Sequence, residues 1–581
     1  SICNLQAPFF RQWNRMAEPA PSASRPVLIL GAGVNGGCVA RELLLSGVPV
    51  VIADREDVAS GATSKSSRLI HGGLRYLEYG DIRLVHESLD ERTRLLQLAP
   101  QFVRPLRLFI PVRRRSGGLL QAGMRFLKFE RMQFGRWLTR RLPVSERGLW
   151  AVRTGLAMYD WIARRGGLPP HTVGRVDQAG APALDRRQFH WVCSYYDAQM
   201  LYPERFTLAL LEDCRRIAAE QRVGFEVHTY QQIHRDGAQI ELSAGRGGAK
   251  HRLTPLSVVN ASGAWGDATL RGLDARTSPL FAGTKGSHII TRQPALRTAL
   301  GDDAVYAEAK DGRLVFVLPF GDSVLIGTTD LPFAESPERA VATPEEVGYL
   351  VRIVNEVFPD VTLRDTDVAA HYSGVRPLPN VRTSRAGAIP RGHWVETTTA
   401  DGLTIDTLVG GKLTTCRAFG ELAADRILQR LGRPRTESTR NRVVPGAEDY
   451  PSEFQTLSTR LAAVSRETGF DEAQVRAVWA LVGTRAASIL AACGQGEHEI
   501  VAGTSLPVAF ADWAIEHEWV MTLDDLIERR LMLAWSAQLT VDSLRVLARR
   551  LVTAGKLAEA DMDATITATR ERLRVHYGRR I

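Results

Sequence analysis

Cysteine is scarce. The chain of 581 residues holds six (Cys3, Cys38, Cys193, Cys214, Cys416 and Cys493), and no two are spaced as a CxxC unit. That pattern excludes a zinc ribbon and an iron–sulfur ligand set, and it predicts reduced, mostly structural thiols of a cytosolic kind. No uninterrupted apolar run reaches membrane-spanning length, so the sequence predicts a chain that does not cross a bilayer, although it can lie on one. "DMDATITATRE" (561–571) has acids spaced somewhat like a calcium loop but lacks the central glycine, so no metal site is expected. Acidic charge is in deficit: the net charge is +10, which suits anionic substrates, anionic lipid surfaces or nucleic acid without choosing among them. No nucleic-acid-binding motif accompanies it, and no nucleic-acid partner is expected.

What is present is ordinary in bulk: 44% hydrophobic and 24% charged residues, a composition for large buried cores in more than one domain. Residues 1–24 differ from the rest, with the low-complexity "AEPAPSAS" at 17–24. They are predicted to be a disordered N-terminal extension.

The ordered chain opens with "RPVLILGAGVNGGCVARELLLSGVPVVIADRE". A strand over 27–30 leads into G-x-G-x-x-G at Gly31, Gly33 and Gly36. A helix over about 35–46 and a second strand ending at Asp54 follow. Gly31 permits a tight turn, Gly33 lets the backbone approach a pyrophosphate, and Gly36 lets the helix pack close to the strand. The helix N-terminus favours the anion, and Asp54 is placed to accept from ribose hydroxyls. The motif does not separate FAD from NAD. Small and hydroxylated residues then fill 60–67, including Thr63, Ser64 and Ser67, a composition that can wrap a polar cofactor. The glycine pair Gly72–Gly73 sits between His71 and Arg75–Tyr76 and marks a close approach to the backbone.

Several stretches in order resemble one family. "GATSKSSRLIHGGLRYLE" (61–78), "VVNASGAWGD" (258–267), "KGSHII" (285–290), "VFVLPFGDSVLIGTTD" (315–330), "YSGVRPL" (372–378), "LVGGKLTT" (408–415) and "EHEWVMTLDDLIERRLMLAW" (516–535) are similar to the respiratory, FAD-dependent glycerol-3-phosphate dehydrogenases. The resemblance implies an α/β fold: a Rossmann-like FAD-binding domain interleaved with an antiparallel-sheet substrate domain over 25–441, and an α-helical C-terminal domain over 452–581.

It also implies roles. Gly72 and Gly73 would lie against the flavin ring, with His71, Gly263, Gly410, Gly411, Leu413 and Thr414 around the cofactor. Arg75, Tyr76, Thr328, Arg391 and Lys412 would bind substrate; Arg385 competes with Arg391, because Gly392 departs from the family pattern. Arg376, held extended by Pro377, would grip the phosphate. His288 would be the base, with His71 as rival, since histidine titrates in the useful range. The implied reaction oxidises sn-glycerol 3-phosphate to dihydroxyacetone phosphate, with hydride passing from C2 to flavin N5 and electrons to a quinone. The implied setting is cytoplasmic, at the surface of the inner membrane, and a homodimer is among the states allowed. Competing readings are an oxidase using oxygen, a flavoenzyme with another hydroxy or amino substrate, and a membrane-surface or nucleic-acid-binding protein that uses its basic insertion and holds a merely structural flavin.

One segment departs from the family. Residues 113–141 carry eight Arg, one Lys and one acid. On a helical wheel Leu120, Met124, Leu127, Phe134, Trp137 and Leu138 share a face, opposite Arg125, Lys128, Arg136 and Arg140. This insertion, near 116–146, reads either as a basic amphipathic helix in a bilayer interface or as a helix packed on its own domain.

Overall fold

The computed structural model describes residues 25–77, 80–115, 148–164, 166–178, 180–244, 250–309, 312–380, 392–494 and 499–581. The N-terminal extension and the basic insertion lie outside these residues.

The apolar runs at the start of the chain form a buried sheet. Val27–Leu30 pairs in parallel with Val50–Ala53 on one side and with Ser257–Asn260 on the other. The six-stranded order continues outward to Phe225–His228 at one edge and to Leu403–Val409 and Trp394–Ala400 at the other. Continuous apolar strands such as VLIL and VVIA fit a parallel sheet covered on both faces. The helix Val34–Leu45 begins one residue before its expected start and is buried along almost its whole length. It lies beside the helices Cys416–Arg430 and Pro203–Gln221. Its approach is close: a Cβ on Gly36 would fall 2.0 Å from the Gly31 carbonyl oxygen.

A second, ten-stranded sheet carries the other half of the molecule. Its organising strand is Phe281–Thr291. It runs antiparallel to Val368–Pro379 along nearly its full length, and its other edge pairs with Ser323–Gly327 and Leu331–Pro332. That register sets His288 opposite both Gly327 and Tyr372, and Thr284 opposite Arg376. The helix Pro344–Val357 covers this sheet. It starts at a reciprocal Thr343–Glu346 cap, which satisfies two otherwise orphaned backbone donors.

From Phe454 onward the described chain is helical. These helices share one core with the second sheet, in which Tyr372 and Leu325 are buried in the same cluster as Leu526 and Tyr577. The stretch Glu472–Ala492 is long and apolar enough to cross a membrane by length and composition, although Arg476 and Arg485 interrupt its apolar run. A 3-10 turn at Gly483–Arg485 interrupts it, and Val475, Val478, Val482, Ile489 and Leu490 are buried in the shared core, so it packs as a core element. Buried charges tie this region to the rest: Arg205 to Glu518 at 2.6 Å, and Arg530 Nη2 to Asp57 at 2.8 Å.

Candidate active site

The strand-to-helix turn is built for a pyrophosphate. Gly31 has φ +118°, and a Cβ there would lie 2.6 Å from the Ala261 carbonyl oxygen. Thr63 accepts a hydrogen bond from the Val34 N–H at 3.2 Å, so the loop after the second strand closes over the helix N-terminus. Asp54 accepts from the Ala32 N–H at 2.7 Å and the Glu56 N–H at 2.9 Å. Burial raises its pKa to about 6, against the lowering effect of those two N–H donors. A continuous cavity of 710 Å³ runs from this turn, past Gly263, to His288, Arg376 and Gly410–Thr414.

The far end of the cavity is again backbone-lined. Gly410 and Gly411 have φ +77° and +93°, and a Cβ on Gly410 would lie 2.6 Å from the Gly392 oxygen. Residues 413–415 form a turn, and the helix starts at Cys416 rather than near Leu413 as expected. Thr414 Oγ1 accepts from the His71 N–H at 3.1 Å. The Lys412 ammonium sits 3.9 Å from the centre of the Tyr76 ring, a cation held over an aromatic face.

Between these ends lies a polar corner. His288 is 2% exposed. Its ring stacks on Tyr372 at 4.8 Å and 15°, and its Nε2 lies 2.8 Å from Ser67 Oγ. Gly327 leaves room for the imidazole: a Cβ there would fall 2.2 Å from the ring. Burial, and then the charges of Arg376 and Arg68, hold the pKa well below the ordinary histidine value. The imidazole is therefore neutral at physiological pH and able to accept a proton. Arg376 lines the same corner, with Nη1 3.0 Å from Asp330 Oδ1 and Nη2 2.9 Å from Thr328 Oγ1.

The structure thus brings Gly31, Gly33, Asp54, Thr63, Ser67, His71, Tyr76, Gly263, His288, Arg376, Gly410, Gly411, Lys412, Leu413 and Thr414 to one cavity. Gly36 packs behind it. Other expected residues are placed differently. Gly72 and Gly73 do not line the cavity. A Cβ on Gly72 would meet Leu89 and the Tyr159 hydroxyl at 2.4 Å, and one on Gly73 would meet the Tyr76 ring at 2.0 Å, so protein side chains make the close approach. The Gly72 N–H is shared between Tyr159 and Asp197. Ser64 is buried, and its hydroxyl donates back to the carbonyls of Ser60 and Gly61, closing its own turn. Thr328 stands behind Arg376 rather than on the cavity wall. Arg385, Arg391 and the side chain of Arg75 lie outside the described residues.

Sequence reasoning missed Tyr372. The signal was available: Tyr372, Gly374 and Arg376 alternate along one strand, which puts them on one face.

The backbone cradle at both ends of one long cavity, with cations and a neutral imidazole between them, suits a flavin dinucleotide. The family model of the FAD-dependent oxidoreductases matches residues 26–426, and that of the C-terminal domain of alpha-glycerophosphate oxidase matches 437–560. The chain belongs to the FAD-dependent oxidoreductase family, and its cofactor is FAD. Among its relatives, the glycerol-3-phosphate dehydrogenase of Synechocystis is 33% identical over 87% of this chain and 88% of that protein. The D-erythritol 1-phosphate dehydrogenase of Brucella abortus is 29% identical over 89% and 95%. The glycerol-3-phosphate dehydrogenase structure from Bacillus halodurans, complexed with FAD, superposes with a TM-score of 0.70 at 20% identity over 97% of both chains, a likeness of fold.

Proposed function

We propose that the protein oxidises the secondary hydroxyl of sn-glycerol 3-phosphate to dihydroxyacetone phosphate. The observation that carries this reading is the corner of the FAD cavity that the neutral imidazole of His288 shares with the guanidinium of Arg376. Bound FAD supplies the hydride acceptor. Arg376 and Lys412 bring positive charge to a dianionic phosphate, and a planar guanidinium suits paired hydrogen bonds to its oxygens. His288 takes the hydroxyl proton. The names of the relatives above support the substrate class. They also supply the second reading, a longer polyol phosphate, because one of those relatives is named for erythritol 1-phosphate.

The proposed electron acceptor is a quinone, reached from the cytoplasmic face of the inner membrane, and a homodimer is compatible with that setting. The helix Leu149–Ala163 supports the membrane part. Trp150 and Trp161 are 49% and 65% exposed and recur after about three turns, so they share a face. Arg153 and Arg164 lie over their rings at 5.7 and 5.6 Å. Exposed tryptophan beside arginine suits an anionic interface. Flotation with anionic vesicles, lost in a Trp150→Ala/Trp161→Ala variant, is the expected result; equal flotation of both proteins sinks this surface.

The substrate is tested anaerobically by following flavin absorbance near ~450 nm after mixing with sn-glycerol 3-phosphate or erythritol 1-phosphate. Rapid bleaching by the first is expected. Bleaching by the second alone replaces the substrate. Hydrogen peroxide released in air would replace quinone with oxygen.

A further inference from the structure

We propose that Ser67 is a catalytic residue that carries the substrate's hydroxyl proton to His288. The inference rests on the reading above that the substrate is a secondary alcohol. It begins from an obstruction. His288 is the base in position, yet it is almost closed to the cavity: 2% of the residue is exposed, and Tyr372 stacks on the ring. The Gly327 backbone leaves no room for even a methyl group beside it. Nδ1 is buried with no hydrogen-bond partner among the described residues. Nε2 is the remaining ring nitrogen, and the Ser67 hydroxyl stands against it at 2.8 Å.

Ser67 has more access than His288. It is half-buried and lines the cavity in the same corner as Arg376. The geometry is held from behind, because the Tyr372 hydroxyl donates to the Ser66 carbonyl at 2.7 Å. The ring that stacks on the imidazole therefore also anchors the serine loop.

The chemistry balances. With the imidazole proton on Nδ1, Nε2 accepts from Ser67 Oγ–H. As the substrate O–H bond breaks, its proton passes to Ser67 Oγ while the serine's own proton passes to Nε2. The serine ends neutral, the imidazole ends protonated, and the hydride leaves the substrate carbon for the FAD that the family supplies. Serine adds no charge to a corner that already holds Arg376. Once the ketone has formed, the low basicity of His288 favours release of the proton back through Ser67 to solvent in the cavity.

The test uses the FAD-loaded full chain, Ser67→Ala and Ser67→Thr. Ser67→Ala is expected to keep its flavin and to lose roughly 100-fold or more in the anaerobic bleaching rate, within the span of proton-transfer catalysis. Ser67→Thr, which keeps a hydroxyl, is expected to recover most of that rate. The solvent isotope effect should bow with deuterium fraction in the wild type, as two protons move, and be linear in Ser67→Ala. A Ser67→Ala rate close to wild type overturns the relay, as does isolation of that variant without FAD, which would make Ser67 a cofactor ligand. Failure of the wild type to bleach with sn-glycerol 3-phosphate removes the substrate reading instead. The relay is then decided by the ¹⁵N signal of His288 Nε2: a shift in Ser67→Ala upholds the pair, and an unchanged signal overturns it.

Discussion

Asp330 holds Arg376. The carboxylate and the guanidinium meet at 3.0 Å, with Thr328 Oγ1 taking a second guanidinium N–H at 2.9 Å. The cation is thus oriented before any ligand arrives. Arg376→Ala should lower kcat/KM by roughly 100-fold, about 3 kcal/mol, the scale of two charge-assisted hydrogen bonds, while flavin content stays normal. Asp330→Asn should act mainly on KM, because it loosens the guanidinium without removing it. Steady-state kinetics beside flavin absorbance check both; an Arg376→Ala enzyme with ordinary turnover would remove Arg376 from the site.

Asp54 bridges the glycine turn and its own loop through the Ala32 and Glu56 N–H groups. Asp54→Ala leaves both donors unmet in a half-buried place, a cost of roughly 1 kcal/mol, and removes the acceptor expected at the ribose. The variant should be isolated with much less FAD, measured as the flavin-to-protein absorbance ratio, and its thermal midpoint should rise when FAD is added back.

Asp57 is fully enclosed and receives both Arg529 and Arg530 from the helical region. Removing one partner of a buried pair leaves uncompensated charge and costs about 3–5 kcal/mol. Asp57→Ala should lower the unfolding midpoint substantially, and fluorescence and far-UV signals should still move together because the two regions share a core. Separate transitions would contradict that core.

His288 has a pKa held well below its ordinary value by burial. The folded protein therefore keeps this imidazole neutral at pH values where the unfolded chain, titrating near about 6.5, takes up a proton. Stability from this group is complete above that value and falls as pH drops below it. The rate of flavin bleaching should stay level from pH 8 down past 6.5 as far as His288 is concerned. His288→Leu should remove part of the acid-side loss of stability, measured by denaturant midpoints across pH. A rate limb centred near pH 6.5 that disappears with His288 would show an unshifted imidazole.

The first cradle was legible because its grammar is local. Strand, glycines, helix and acid follow within one stretch, and each glycine answers to a neighbour close in the fold. Gly72 and Gly73 show the limit of that reading. A glycine pair signals that something comes close but not what; here Leu89, Tyr159 and Tyr76 arrive from helices that periodicity could not orient. The Ser67–His288 contact joins positions 221 residues apart. It exists because the strand registers of the second sheet put His288 opposite Tyr372 and Gly327, and register between distant strands has no local signature. The shared core of sheet and terminal helices was hidden for the same reason. The sequence marks a helical region after about 452, but it does not mark which face of which helix lies on the sheet.

The cofactor loop carries a consequence for synthesis. Lys65 meets the Tyr577 hydroxyl at 2.6 Å across 512 residues, and Asp57 waits for Arg530 across 473. A nascent chain that has already made its glycine turn and both halves of the flavin cavity still lacks these two clamps on the loop between them. The Lys65 clamp closes only when the helix Met562–Tyr577 has left the ribosome, so a chain stalled short of that helix is expected to hold flavin poorly however complete its binding motif.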